Sequence, residues 1–275
     1  MLQFMSFGSG SSGNCYYLAN ENDAILIDAG IGVRKVKHLM REYGLSASKL
    51  RAILITHDHA DHVKASGNLS SDFTLPVYAT ERVHEGIRQS YRFYRKIEPM
   101  YVKFIPKEEE FSLFSFRITA FELPHDSAEN VGYSIHTDNP EDGVFTIMTD
   151  IGTPTEKVYE YIEKSNYLVL ESNYDEEMLA SGTYPKVLQD RIKGGHGHLS
   201  NHQSAEALAK CFHEHLKYVW LCHLSEENNH PELARKTVEC HLRSFGIIAG
   251  KDFTLEVLKR HVASDLYELS LTVDH

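Results

Sequence analysis

Residues 50–62 read Leu50-Arg51-Ala52-Ile53-Leu54-Ile55-Thr56-His57-Asp58-His59-Ala60-Asp61-His62. The first seven form an apolar run of β character. The last six crowd three imidazoles and two carboxylates onto the end of that strand. Side chains of this kind prefer water or a charge partner, and a bound cation is the simplest reason to gather them. Neutral imidazoles and ionised carboxylates suit Zn²⁺, Mn²⁺ or Fe. The order differs from the helical His-Glu-x-x-His of metalloproteases, where two histidines sit one turn apart on one face. Here the ligand-type residues lie on a tight loop leaving a strand, so neighbours can address two different centres.

The same pattern recurs outward from this stretch. Asp28 closes Ala24-Ile25-Leu26-Ile27, His125 follows Phe121-Glu122-Leu123-Pro124, Asp150 follows Val144 to Thr149, and His223 follows Tyr218 to Cys222. Any one of them reads as an ordinary turn former or cap. Four together with the His57 cluster point to one face that gathers strand ends, where α/β enzymes place their chemistry.

The elements between fall in the order strands, helices, strands, helices, which predicts two sheets between helical layers. Helices are expected over Val33 to Tyr43, Thr80 to about Ile97, Glu156 to Glu163, Ser200 to Glu214 and Pro231 to about Phe245. Phe111 to Leu123 and Val131 to Thr137 read as strands with period-two alternation. Gly8-Ser9-Gly10-Ser11-Ser12-Gly13 reads as a turn between two strands. It is not a phosphate loop, because no Lys-Ser/Thr pair and no helix pattern follow it. No linker or repeat divides the chain, so a single domain over residues 1–275 is expected.

Composition narrows the function. The net charge of −11 argues against a polybasic nucleic-acid binder. It leaves room for a nuclease, since bound cations can hold a polyanion that the mean charge would repel. No apolar run nears the length of a membrane span, and the first residues do not read as a signal peptide. Cys15, Cys211, Cys222 and Cys240 form no Cys-x-x-Cys pair, so a reducing cytoplasm is the expected location. No obligate protein partner is evident.

Gly194-Gly195-His196-Gly197-His198-Leu199-Ser200 is the second informative segment. Glycines let backbone approach a ligand closely. His198 precedes a helix whose Ser200 and Gln203 make a capping box, and helix N-termini favour anions. His198 is therefore a candidate for holding a phosphate and protonating a leaving oxygen. Glu171, at a strand end, and Ser200 are candidates for the rim of the site. Arg88, Arg92 and Lys96, interleaved with Tyr91, Phe93 and Tyr94, also have the spacing of a helix that tracks a phosphate backbone, although a solvated basic face over a buried aromatic one explains them better.

Thr56-His57-Asp58-His59-Ala60-Asp61-His62 resembles the signature motif of the metallo-β-lactamase fold hydrolases. Asp28, His125, Asp150 and His223 fall, in order, where that family carries its other motifs. The Gly8–Cys15 loop, Glu171-Ser172-Asn173-Tyr174-Asp175, Gly197 to Asn201 and His223 to Asn229 are similar to the YycJ/WalJ subfamily, itself related to tRNase Z and the RNase J nucleases. The interval from Asp150 to His223 is too short for the β-CASP insertion of RNase J-like enzymes. The resemblance implies a single αββα sandwich of the metallo-β-lactamase type. It implies two divalent metal ions (Zn, Mn or Fe), with His57, His59 and His125 on one, Asp61, His62 and His223 on the other, and Asp150 bridging. Asp28 is implied behind the ligands, accepting a hydrogen bond from one of them. Asp58 occupies the motif's variable position. The expected reaction is phosphodiester hydrolysis in nucleic acid, single-stranded DNA or RNA, by attack of a metal-bridging hydroxide on phosphorus. Asp61 would orient the nucleophile and His198 would assist the leaving group. Two alternatives stay open: a carbon-centre hydrolase such as a thioesterase or lactonase, and an inactive metal- or nucleic-acid-binding module.

Overall fold

The computed structural model describes residues 1–90 and 95–271. Its strands, in chain order, are β1 Leu2–Gly8, β2 Cys15–Ala19, β3 Ala24–Ile27, β4 Leu50–Leu54, β5 Val77–Ala79, β6 Val102–Phe104, β7 Glu110–Leu113, β8 Phe116–Glu122, β9 Val131–His136, β10 Phe145–Met148, β11 Tyr167–Glu171, β12 Tyr218–Cys222, β13 Thr254–Val257 and β14 Tyr267–Leu269. They form two sheets, ordered β14-β1-β2-β3-β4-β5-β6 and β13-β12-β11-β10-β9-β8-β7.

Each sheet is half antiparallel and half parallel. β3 to β6 run parallel in the first, and β10 to β13 in the second. The strands nearest the site, β3, β10, β11 and β12, are apolar runs covered on both faces, as parallel strands must be. Between the sheets lies a core that includes Phe4, Tyr16, Ile27, Leu54, Phe116, Tyr133, Phe145 and Trp220. Outside the first sheet pack α1 (Val33–Glu42), the short α2 (Ala60–Val63), α3 (Ser66–Phe73) and α4 (Glu81–Gln89), burying Val36, Leu39, Leu69, Val83 and Ile87. Outside the second pack α5 (Glu156–Glu163), α6 (Glu176–Ser181), α7 (Lys186–Lys193), α8 (Asn201–Cys211) and α9 (Pro231–Ser244), burying residues such as Val158, Leu208 and Val238. The result is the expected αββα sandwich.

Three expected elements differ. The helix predicted to reach Ile97 stops at Gln89, and Ser90 is already extended. Tyr91, Arg92, Phe93 and Tyr94 lie outside the described residues, Arg88 faces Glu85, and Arg95 pairs with Glu98. The run Phe111–Leu123 is two strands. Phe114, in left-handed backbone at φ 54°, turns β7 back into β8. The helix predicted to end at Glu214 ends at Cys211. α3, rich in serine, had no apolar periodicity to announce it.

Candidate metal centre

Asp28, Asp150 and His223 each directly follow, or lie two residues past, the C-terminal end of β3, β10 and β12. The His57–His62 loop leaves β4 and His125 leaves β8. These ends share one edge of the sandwich. Two bonds tie the sheets together there: Val131 N–H donates to the Thr56 carbonyl at 3.1 Å, and Tyr133 Oη–H to the Ile55 carbonyl at 2.6 Å. Asp28, Asp150 and His223 also adopt left-handed φ angles of 62°, 58° and 53°, which turn their side chains sharply off the strands into the site.

Five imidazoles converge there with one pattern. Each commits one ring nitrogen to a protein acceptor and turns the other inward. His62 Nδ1 donates to Asp28 Oδ2 at 2.7 Å. His57 Nδ1 meets Thr56 Oγ1 at 3.0 Å, and that hydroxyl in turn donates to Asp28. His125 Nδ1 donates to the Gly197 carbonyl at 2.9 Å. His59 Nε2 reaches the Asp126 carbonyl at 3.3 Å. His223 Nδ1 donates to Glu171 Oε1 at 3.0 Å.

The inward atoms meet around two carboxylates. His223 Nε2 and His62 Nε2 lie 3.2 and 3.4 Å from Asp61 Oδ2. His62 Nε2 lies 3.2 Å from Asp150 Oδ2, and His125 Nε2 and His57 Nε2 lie 3.6 and 4.0 Å from Asp150 Oδ1. His59 Nδ1 is 3.2 Å from His125 Nε2. Donor atoms of a tetrahedral site with bonds of about 2.0–2.1 Å stand about 3.4 Å apart, so these spacings suit a shared cation. A second observation agrees: buried His57 Nε2 has no hydrogen-bond partner at all. The donor atoms of His57, His59 and His125, and those of Asp61, His62 and His223, each lie within 4.8 Å of one another, and Asp150 joins His57 and His62 within the same limit. The residues present fit divalent metal ions.

The electrostatics follow from the crowding. Burial, then His62, pushes the His57 imidazole well below its usual value, leaving a neutral ring. Burial opposes charge on His62, but Asp28, Asp150 and Asp61 hold it well above the usual range. Asp150, despite burial, is held well below the usual carboxylate range by His223, His62 and His57. His223 is pushed up to about 10 against the effect of burial, chiefly by Asp150 with Asp61 and Glu171. Buried carboxylates at this density require compensating positive charge, which imidazolium or a cation supplies.

His198 stands beside the cluster. Its Nδ1 donates to Glu171 Oε1 at 2.8 Å, and its side chain keeps 20% of its surface exposed. Burial opposes its charged form, yet Glu171 raises it above the ordinary histidine value. Glu171 is not at the rim. It is fully buried beneath the site, and its Oε2 accepts from Ile151 N and Leu199 N at 2.8 and 3.0 Å. Ser200 is also buried, capping α8 through Gln203 N and donating to Glu176 Oε1. The helix N-terminus expected to favour an anion has most of its amides already committed. Leu199 N is held by Glu171, Ser200 N by Gln203 Oε1, Asn201 N by the Tyr174 carbonyl and Gln203 N by Ser200 Oγ. Gly197 matters for another reason: a Cβ there would stand 2.1 Å from the Ile192 carbonyl oxygen. Asp58 turns away and accepts from Ala128 N at 3.0 Å.

Some residues of the site carry no sequence signal of their own. Asn14 Nδ2 reaches His62 Nε2 at 2.9 Å and Asp61 Oδ2 at 3.3 Å. Ser9 Oγ accepts from His223 N at 2.9 Å. Both lie on the loop between β1 and β2, whose glycines hint at close packing but not at its target.

Fold and site together define a metallo-hydrolase. The chain belongs to the family described as the beta-lactamase superfamily domain, whose model matches residues 23–223. It is 33% identical over 255 residues to "Exodeoxyribonuclease YycJ" of Bacillus anthracis, covering 92% of this chain and 94% of that protein. It is 31% identical over 267 residues to "Exodeoxyribonuclease WalJ" of Streptococcus pneumoniae, covering 97% and 98%. Among solved structures, the metallo-beta-lactamase fold protein YhfI from Bacillus subtilis superposes with a TM-score of 0.68 at 15% identity over 96% of this chain and 98% of its own. No helix among the described residues is long and apolar enough to cross a membrane.

Proposed function

We propose that this protein is an exodeoxyribonuclease that binds two divalent cations, Zn, Mn or Fe, and cleaves phosphodiester bonds of DNA. The observation that carries the reading is the common posture of the five imidazoles, each locked by an outer hydrogen bond: four turn their other nitrogen towards Asp61 or Asp150, and His59 turns its own towards His125 Nε2. In this proposal His57, His59 and His125 hold one ion, Asp61, His62 and His223 the other, and Asp150 lies between them. Bound there, such ions would lower the pKa of water and offset charge on phosphate oxygens. Asp61 orients the attacking water through its carboxylate. Glu171 fixes His198 with a proton on Nδ1 and favours the charged form of the ring, the form in which Nε2–H can donate to the departing oxygen. Choice of DNA over RNA rests on the names of the two relatives. The four free cysteines suit a reducing cytoplasm.

The test is incubation of the purified protein, with Mn²⁺ or Zn²⁺, with single- and double-stranded DNA labelled at either end. Stepwise release of short products is expected, and its loss in a His59→Ala/Asp61→Ala double variant. Equal turnover by that variant defeats the reading. So does activity confined to thioesters or lactones.

A further inference from the structure

We propose that Lys64 and Arg260 form a phosphate-binding wall beside the Asp61–His223 half of the site, holding the DNA strand that adjoins the scissile bond. The inference rests on the nuclease reading above.

Lys64 directly follows α2, three residues after Asp61. Residues at that spacing share a helix face. Lys64 Nζ donates to the Ser12 carbonyl at 2.5 Å and has no carboxylate partner among the described residues. Arg260 lies across the same loop. Its stem packs on Gly10, where a Cβ would come within 2.6 Å of Arg260 Cγ. Its Nη1 donates to the carbonyl of Ser225, two residues beyond His223, at 2.8 Å. Its Nε is buried with no partner, and no carboxylate pairs with it among the described residues. Of the five N–H donors of a guanidinium, those on Nη2 carry no hydrogen bond among the described residues and remain for a phosphate.

The neighbourhood has the same character. Among the described residues Lys35 Nζ bonds only the His261 carbonyl, at 3.0 Å, and His261 Nδ1 lies 3.5 Å from Ser12 Oγ. Among the described residues one carboxylate pairs with this group, that of Glu226, whose Oε1 is 3.7 Å from His261 Nε2. The other flank of the site differs: Arg191 is already neutralised by Asp126. Elsewhere this acidic chain pairs many of its cations, as in Lys107 with Glu122 and Glu129, and Arg117 with Asp138. Lys64 and Arg260 thus bring uncommitted positive charge to this side of the centre. A lysine contributes a point charge and an arginine a fork that matches phosphate oxygens. Contacts to phosphate position a strand without reading its bases, so the strand is held independently of sequence.

The test compares wild type with Lys64→Ala, Arg260→Gln and the double variant. Substrates are a single-stranded oligonucleotide of about 30 nucleotides and bis-p-nitrophenyl phosphate, with Mn²⁺, between about 50 and 200 mM salt. The ratio of kcat/KM on the oligonucleotide to that on the small diester is expected to fall about tenfold in the double variant, and the slope of log kcat/KM against log salt to become shallower by about 0.7 for each lost contact. Arg260→Lys should retain most of the ratio. Lys217→Ala, at the opposite end of β12, should change neither quantity. If Arg260→Gln fails to fold, Lys64→Ala, at an exposed residue, decides alone. A wild-type ratio and slope in the folded variants overturn the wall while leaving the nuclease reading intact. Wild-type protein that hydrolyses the small diester but no DNA overturns both.

Discussion

Asp28 shows how much one carboxylate does here. It sits at φ 62°, accepts from Thr56 N at 2.9 Å through Oδ1 and from His62 Nδ1 at 2.7 Å through Oδ2. Asparagine tolerates that backbone but offers one acceptor where two are needed. In Asp28→Asn an amide N–H must face either the Thr56 amide or His62 Nδ1–H, and the His62 ring loses its fixed orientation. Metal affinity should drop by about 10- to 100-fold, with far-UV circular dichroism unchanged. Competition against a chelator measures it, and unchanged affinity would show that Asp28 does not orient His62. Glu171 and His198 form a second unit. Glu171→Gln cannot accept from both imidazoles and both amides, and His198→Ala removes the proton donor. Each should lower kcat by about 100-fold or more at full metal content, and the double variant should lose little beyond the worse single one. Steady-state kinetics beside elemental analysis tests this, and additive losses would separate the two residues. The ligand-type residues were legible because each interrupts an apolar run. Asn14, Ser9 and Asp126 were not, since their partners are brought close only by folding. Glu171 looked like a rim residue because a strand end does not reveal which way its last side chain points.

At the scale of elements, the site is built from strand ends and the loops that brace them. The loop between β1 and β2 leans on the segment after β3, and Gly30 allows that approach: a Cβ there would stand 1.6 Å from the Asp61 carbonyl oxygen and 2.6 Å from Asn14 N. These are backbone atoms and have little room to yield. Gly30→Ala should therefore destabilise the protein by about 3 kcal/mol or more, read from urea unfolding, and should displace Asp61 and weaken metal binding in whatever remains folded. A loss below about 1 kcal/mol would mean the loop shifts freely. Strand positions were legible because runs such as Ala24–Ile27 and Tyr218–Cys222 are uniformly apolar. Ends were less so. α4 lacks a C-terminal glycine signal, so nothing in the sequence marks its end at Gln89. The β7–β8 hairpin turns on Phe114, a residue with no turn propensity.

On the scale of the molecule, the order of elements was enough to predict two sheets between helices, but not which strands neighbour which, because register and order depend on contacts distant in sequence. What the strand order achieves is to bring ligand-type residues from both sheets to one edge: Asp28 and the His57–His62 loop from the first, His125, Asp150 and His223 from the second. A cation held by both sets would join the two sheets across their open edge. Because it would bind the folded chain and not the dispersed ligands of the unfolded one, it should stabilise by linkage, about 2.7 kcal/mol at a free concentration 100 times its Kd. For a chain of this size that corresponds to a rise in Tm of about 5 °C over the chelated protein. Hydrogen exchange should slow most at the Thr56 and Val131 amides, which lie where the sheets meet beside the site. In the His59→Ala/Asp61→Ala variant both effects should shrink sharply. Equal stabilisation of variant and wild type by Mn²⁺ or Zn²⁺ would place the ions elsewhere on the protein.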